Sequence, residues 1–118
     1  MTTPIILAGI KNCDAVRTAQ RWLDNNNIDY DFLDLRSDQF VRNTLGRWLE
    51  NVEWTDLLNK RSTTWRGLDD QERVDLDEAK AMTLMMRHPT LIRRPVLQVG
   101  NNIEVGFSPE RYAELFRT

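Results

Sequence analysis

Cysteine and histidine are almost absent from this 118-residue sequence, which has one of each. A single cysteine excludes an internal disulfide and any zinc site built from several cysteines, and a single histidine excludes most metal sites and catalytic triads centred on histidine. Positive charge is not in excess either, because 16 Lys and Arg face 18 Asp and Glu for a net charge of -2. We therefore expect no nucleic acid or membrane to be held by a broad positive surface.

Long apolar runs are also missing. No stretch approaches the roughly 18 apolar residues that span a bilayer, and no basic segment precedes the short apolar run near the start, as it would in a secretory signal. We therefore expect a cytoplasmic protein. Hydrophobic residues make up 41% of the chain and charged residues 29%, which favours a folded protein over a disordered one. The length predicts a single domain.

The first 35 residues follow the pattern of a strand, a helix and a second strand. Residues 5–10 form a short continuous apolar run, which predicts a strand buried on both faces. Apolar residues then recur at helical spacing until residues 25–27, which are all Asn and end the pattern. Residues 30–35 are predicted to form a second strand, parallel to the first because a helix connects the two.

The middle of the chain, residues 36–90, is predicted to be helical. Three groups of apolar residues each lie on one helical face: Val41, Leu45, Trp48 and Leu49; Trp54, Leu57 and Leu58; and Ala79, Met82, Met85 and Met86. Gly67 predicts a turn and the Asp69-Asp70 pair a helix start, and we expect Trp48, Trp54 and Trp65 to pack this block. His88, before a proline, is interpreted as a residue at a helix end and not as a base.

The end of the chain is predicted to form a hairpin and a helix. Residues 95–99 and 103–105 are apolar segments joined by the turn Gly-Asn-Asn, and Ser108-Pro109-Glu110 has the residues that begin a helix. The order βαβ, helices, ββα predicts an α/β thioredoxin-like fold with a mixed four-stranded sheet and an inserted helical subdomain. Residues 1–35 and 91–118 would form the core, and about 36–90 the insertion.

Cys13 is the residue in this sequence most suited to chemistry. It lies between the first strand and the first helix, where unpaired backbone N–H groups and the helix dipole favour a thiolate. Lys11 and Asn12 precede it and Arg17 follows one turn later, so its neighbours are polar and positively charged. The alternative is that Cys13 is a small buried hydrophobic residue, which is common for a free cysteine.

Several segments together resemble the glutathione-dependent arsenate reductase (ArsC) family. Residues 9–17 (GIKNCDAVR) and the pair Arg94-Pro95 carry the resemblance. Residues 57–65 (LLNKRSTTW), 88–95 (HPTLIRRP) and 106–108 (GFS) are similar to the YffB-like group and, more distantly, to the Spx regulators. The resemblance runs nearly end to end and implies a thioredoxin-like domain with a helical insertion.

The resemblance also implies roles for three residues. The nucleophilic cysteine of the family falls on Cys13, and its oxyanion-binding arginine, before a cis-proline, falls on Arg94 with Pro95. In thioredoxin-like folds the residue before that proline also offers its backbone to the cysteine of glutathione or a peptide, so Arg94 has two expected roles.

The chain departs from the family at three places. Arsenate reductases have a further arginine where this sequence has Asn59, although Lys60 or Arg61 beside it could substitute. A third arginine of theirs aligns near residues 106–107, which are Gly and Phe here. We therefore do not expect arsenate to be the substrate. Spx-type sensors have a second cysteine three residues after the first, where this chain has Val16, so an internal disulfide switch is excluded.

The sequence thus predicts a thiol reductase in which Cys13 attacks an electrophilic sulfur or oxyanion, and glutathione resolves the adduct because the chain has no second cysteine. Glutathione would be a co-substrate, with no bound cofactor or metal. The residues predicted to bind it are Lys11, Asn12, Arg17, Arg94 and Pro95. The alternatives are a non-catalytic, Spx-like module that binds RNA polymerase or another protein, and a glutathione-binding protein without turnover.

Overall fold

The computed structural model describes residues 3–117 and divides into two compact units. The first contains the residues up to Gln39 and from Arg94 onward, and the second is Phe40–Arg93. Along the chain the elements are β1 (Ile5–Gly9), α1 (Asp14–Asn25), β2 (Asp31–Asp34), α2 (Arg42–Leu49), α3 (Trp54–Leu57), α4 (Thr63–Arg66), α5 (Asp70–Arg73), α6 (Glu78–Arg87), a 3-10 turn (Pro89–Leu91), β3 (Val96–Val99), β4 (Asn102–Val105) and α7 (Pro109–Leu115).

The first unit is built on a four-stranded sheet in the order β2-β1-β3-β4. β1 is central and pairs parallel with β2 and antiparallel with β3, so that Leu7 lies between Phe32 and Leu97. β3 and β4 form the hairpin predicted from the sequence, with Gly100 at a φ of 62° in its turn, where glycine carries no steric cost. The mixed sheet, its order and the α/β connections confirm the predicted thioredoxin-like fold.

Helices α1 and α7 provide the side chains that cover one cluster of the core in this unit. Val16, Ala19 and Leu23 of α1 are buried with Leu7, Leu97 and Tyr112. Trp22 meets the Tyr112 ring edge to face at 5.5 Å between centroids. α1 ends where the run of asparagines begins, and Asn27 adopts a left-handed φ of 58°, as Asn does more readily than most residues. The helical spacing of the sequence thus corresponds to one buried face of α1.

The second unit is helical, as predicted, but several of its helices are single turns. α3, α4 and α5 have four residues each, and side chains cap the N-termini of α4 and α5. Ser62 caps α4, and Asp69 caps α5 in a reciprocal capping box with Glu72, at the predicted helix start. Lys80 of α6 donates to the carbonyl oxygens of Gln71 and Val74 near the end of α5. Polar contacts therefore satisfy backbone groups at the ends of these short helices.

The tryptophans of the second unit differ in how deeply they are buried. Trp48 is fully buried and stacks on Phe40 at 5.5 Å, and Met85 is buried as well. Trp54 and Trp65 are only half-buried, and the Lys60 ammonium lies 5.6 Å from the centre of the Trp65 ring. The sequence predicts that all three tryptophans pack this block, and Trp48 lies at its centre while Trp54 and Trp65 are partly exposed.

The second unit, Phe40–Arg93, lies close to the predicted insertion of about 36–90. An isolated bridge pairs Leu58 with Ile92, and the Arg93 N–H donates to the Leu57 carbonyl at 2.8 Å. These hydrogen bonds attach residues 91–93 to the helical unit, and the division falls between Arg93 and Arg94. His88 caps the end of α6, as the sequence predicts. In residues 3–117 no helix combines the length and apolar character needed to cross a membrane.

Candidate active site

The turn between β1 and α1 places Cys13 directly before the first residue of the helix. Asn12 has a left-handed φ of 69°, and Cys13 is the N-cap residue of α1 with an extended backbone. The first helical hydrogen bond, from the Arg17 N–H to the Cys13 carbonyl, is 3.0 Å long. The N–H groups of Ala15 and Val16 come before it and have no partner within the helix, so they are available to an anion at this position.

The topology of the sheet brings Arg94 and Pro95 to the same end as Cys13. β1 ends at Gly9, and its residue Ala8 pairs with Val96, the first residue of the antiparallel strand β3. Arg94 and Pro95 directly precede that strand, and the peptide bond between them is cis. The Gly106 N–H donates to the Pro95 carbonyl at 2.8 Å, so the turn after β4 lies at this end as well.

The surroundings of Cys13 favour its thiolate. Partial burial raises the pKa of the thiol, but the Val16 N–H, the Arg94 guanidinium and the Ala15 N–H lower it, and the balance leaves the pKa below its ordinary value. The neutral thiol makes no capping hydrogen bond of ordinary geometry, so these N–H groups act on the sulfur mainly once it carries charge. Arg94 acts both by hydrogen bonding to the sulfur and through its positive charge.

The two neighbouring arginines have different surroundings. Arg94 is half-buried and belongs to the first unit, in contact with Cys13. Arg93 is exposed, and its Nε donates to the carbonyl oxygen of Asp56 in the helical unit at 3.0 Å. Because successive side chains of an extended segment point in opposite directions, only one of the pair is available to the thiol.

The three polar residues near Cys13 in sequence are exposed. Lys11, Asn12 and Arg17 line a small open cavity of about 250 Å³, whose other walls include Gln20 and Phe32. The Arg17 guanidinium donates to the Asp14 carboxylate at 2.7 Å, and both side chains are largely exposed. The charged side chain that lowers the pKa of the Cys13 thiol is that of Arg94.

Of the departures from the family pattern, Asn59 lies in the helical unit, whereas Val16 and residues 106–107 belong to the first unit. The Asn59 N–H donates to the Leu91 carbonyl at 2.7 Å, and its side-chain oxygen accepts from the Arg61 N–H at 3.0 Å. Lys60 lies over Trp65, whereas Arg61 is exposed. Across residues 3–117, no group of three or more His, Cys, Asp or Glu side chains is placed to hold a metal ion.

The sequence is similar to that of characterised and uncharacterised bacterial proteins over nearly all of its length. A model of the ArsC family matches residues 8–115. An uncharacterized protein of Haemophilus influenzae is 39% identical over 112 residues, which cover 95% of this chain and 98% of that protein. The global transcriptional regulator Spx 2 of Bacillus cereus is 28% identical over 111 residues, which cover 90% of this chain and 82% of the regulator.

Solved structures agree with these sequence matches. A protein named YFFB is 44% identical and superposes with a TM-score of 0.89 over 93% of this chain and 96% of its own. An arsenate reductase (ArsC) related protein from Brucella melitensis is 37% identical, with a TM-score of 0.76 over 100% of this chain and 98% of its own. The arsenate reductase from Vibrio cholerae, 18% identical with a TM-score of 0.82 over 98% of this chain and 100% of its own, shares the fold. By both sequence and structure, this chain belongs to the ArsC family.

Proposed function

We propose that the protein is a glutathione-dependent thiol reductase that uses Cys13 as its single nucleophile. The observation that carries this proposal is the lowered pKa of Cys13, at the start of α1 and beside Arg94. Thiolates, and not thiols, attack disulfides, so a lowered pKa increases the reactive fraction at neutral pH. Membership of a family that includes arsenate reductases supports a thiol-based reduction.

The reaction proceeds in two thiol–disulfide exchange steps. The Cys13 thiolate attacks a mixed disulfide of glutathione and a second thiol, forms a disulfide with the glutathione sulfur and releases the second thiol as its thiolate. The thiolate of a second glutathione then attacks this adduct, which regenerates the Cys13 thiolate and forms glutathione disulfide. The two steps together release the second thiol in its reduced form, consume one molecule of reduced glutathione and form one molecule of glutathione disulfide. Because the chain has no second cysteine, an external thiol must perform the second step.

Residues on either side of Cys13 are proposed to hold glutathione. Arg94 offers its guanidinium to a carboxylate through parallel N–H donors, and the backbone beside Pro95 offers hydrogen bonds to the cysteine part of the tripeptide. Lys11, Asn12 and Arg17 line an open cavity at the turn between β1 and α1 and are proposed to contact the rest of glutathione. The Arg17–Asp14 pair is exposed and weak, so a bound carboxylate could replace Asp14 at little cost. We place the reaction in the cytoplasm, where glutathione is abundant in its reduced form.

Mass spectrometry of the intact protein after incubation with glutathione disulfide tests this proposal directly. We expect one glutathione adduct, located on Cys13 after digestion and removed by reduced glutathione. Cys13→Ser is the matched control and should remain unmodified. A wild-type thiol that forms no adduct under conditions in which free cysteine does would contradict the proposal.

Arsenate is expected to be a poor electrophile for this protein. Asn59 and residues 106–107 stand where the resemblance places two cations of arsenate reductases, so an arsenate oxyanion would meet fewer positive charges here. We expect glutathione-dependent arsenite production by the pure protein to be near background, while a glutathione mixed disulfide is reduced. Arsenite production at a rate comparable with disulfide reduction would show that these two cations are dispensable.

The similarity to Spx 2, a global transcriptional regulator, favours a second candidate function. In that case the domain would bind a protein such as RNA polymerase, and Cys13 would not turn over substrate. The two functions differ in one measurement. A regulator of this kind would retain its partner in a pull-down with Cys13→Ser, whereas the reductase function requires the thiol.

A further inference from the structure

Gly9, the last residue of β1, lies unusually close to helix α1. A Cβ atom at this position would be 2.6 Å from Val16 Cγ2, closer than real Cβ atoms approach other atoms, and 3.0 Å from Val16 Cγ1, a tight contact. Gly9 is buried, and its backbone does not adopt the left-handed conformation that favours glycine. Glycine is therefore required here because the Val16 side chain occupies the place that a Cβ atom at position 9 would take.

Val16 cannot move aside to make room for a larger residue at position 9. Its side chain is 1% exposed and packs in the cluster that contains Leu7 and Leu97. A valine in a helix is also nearly confined to one rotamer, so it cannot rotate its methyl groups away. Any side chain at position 9 must therefore displace the first turn of α1 from the end of β1.

The first turn of α1 is also the part of the helix that acts on the thiol. The Val16 N–H lowers the pKa of Cys13 by hydrogen bonding to the sulfur, and the Ala15 N–H contributes from the same turn. Only three residues connect Gly9 to Cys13, so the sulfur remains tethered to β1 when the turn shifts. If Cys13 instead moved with the helix, it would move away from Arg94, which is anchored to β3 and is the charged group that acts on the thiol.

We propose that Gly9 is a positioning residue for the Cys13 thiolate, because its missing side chain lets Val16 pack against β1 and holds the first N–H groups of α1 beside the sulfur. This inference rests on the proposed role of Cys13 as the reactive thiolate. The end of β1 would then affect the reactivity of the Cys13 thiol as well as the packing of α1.

Gly9→Ala tests this inference through the thiol itself. We expect the titration of Cys13, followed by thiolate absorbance, to move to higher pH, and alkylation by iodoacetamide at neutral pH to slow by roughly threefold to tenfold. At a pH where both thiols are fully ionised, the two alkylation rates should be similar. A merely structural role would lower the melting temperature of Gly9→Ala but leave the reactivity of its folded form unchanged.

Two further variants separate positioning from packing. Gly46→Ala adds the same methyl group in α2, where it would meet only Met82 Cε at an ordinary 3.6 Å, and should leave Cys13 reactivity unchanged. Val16→Ala removes the two methyl groups nearest to position 9 and keeps the backbone N–H. The Cβ of residue 16 would then lie 3.4 Å from a Cβ at position 9. The double variant Gly9→Ala/Val16→Ala should therefore recover most of the reactivity lost in Gly9→Ala, and it carries the test alone if Gly9→Ala does not fold.

Each result has one consequence. Slower alkylation in Gly9→Ala that the second substitution reverses supports the inference. Unchanged reactivity in folded Gly9→Ala overturns it, as does a double variant that folds but remains slow while Val16→Ala alone reacts like wild type. A wild-type thiol that titrates as ordinary cysteine overturns the proposed function as well, whereas a low wild-type pKa unaffected by Gly9→Ala overturns only the positioning role.

Discussion

Replacing Cys13 with serine is expected to abolish glutathione-linked reduction while leaving the protein folded. A serine hydroxyl does not ionise at neutral pH without a general base, and no disulfide can form with it, so turnover should fall by roughly a thousandfold or more. The fold should tolerate the change because Cys13 is the N-cap of α1, a position that serine prefers and where the cysteine makes no ordinary capping hydrogen bond. The measurement is turnover of a glutathione mixed disulfide, together with thermal unfolding of both proteins.

Cys13→Ala is the matched control for this substitution. It removes the nucleophile equally but supplies no oxygen to the Ala15 and Val16 N–H groups, so we expect it to be less stable than Cys13→Ser by about 1 kcal/mol. Both variants should be inactive, and only their stabilities should differ. Turnover that persists in either variant would place the reactive group elsewhere in the protein.

The first unit could be predicted closely because its signals are local in sequence. The apolar run of residues 5–10 is too short to bury itself as a helix. The apolar residues after Cys13 recur at helical spacing, so they share one face of a helix, and that face packs against the sheet. The position of Cys13 at the start of α1 followed directly from these two elements. The interpretation of its backbone N–H groups as thiolate donors needed no tertiary information either.

What the sequence could not predict depends on contacts between distant residues. The Leu58–Ile92 bridge joins residues 34 positions apart and attaches Ile92 to the helical unit, which a local pattern does not indicate. Arg17 is near the thiol in sequence, but its guanidinium pairs with the Asp14 carboxylate on the same helix. This pairing depends on side-chain rotamers, which the spacing of residues in the sequence does not specify. The close approach of Gly9 and Val16 arises where a strand end meets a helix, and no periodicity indicates it.

Removing the charge of Arg94 is expected to have the second largest effect. Arg94→Ala takes away both the hydrogen bond and the positive charge that lower the pKa of Cys13, so that pKa should rise toward its ordinary value. Alkylation by iodoacetamide at neutral pH should then slow by roughly threefold to thirtyfold. Above the ordinary thiol pKa the difference should vanish, because both proteins are then fully ionised. The full profile of alkylation rate against pH provides the measurement.

Arg94→Lys separates charge from geometry. Lysine keeps the positive charge, so alkylation by the neutral reagent should retain part of its wild-type rate. Its single ammonium cannot present two parallel N–H donors to a carboxylate, so KM for a glutathione mixed disulfide should rise even where the thiol remains reactive. Arg93→Ala is the matched control, since that side chain is exposed and donates to the Asp56 carbonyl in the helical unit.

The four proteins together decide which arginine acts on the thiol and how. A shift of the alkylation profile in Arg94→Ala, a smaller one in Arg94→Lys and none in Arg93→Ala would mean that the charge and the hydrogen bond of Arg94 both contribute. A shift of the profile in Arg93→Ala alone would show that Arg93, and not Arg94, acts on the thiol. If neither alanine variant shifts the profile, the backbone N–H groups of α1 must account for the lowered pKa without a cation, and the glutathione carboxylate would then require a partner other than Arg94.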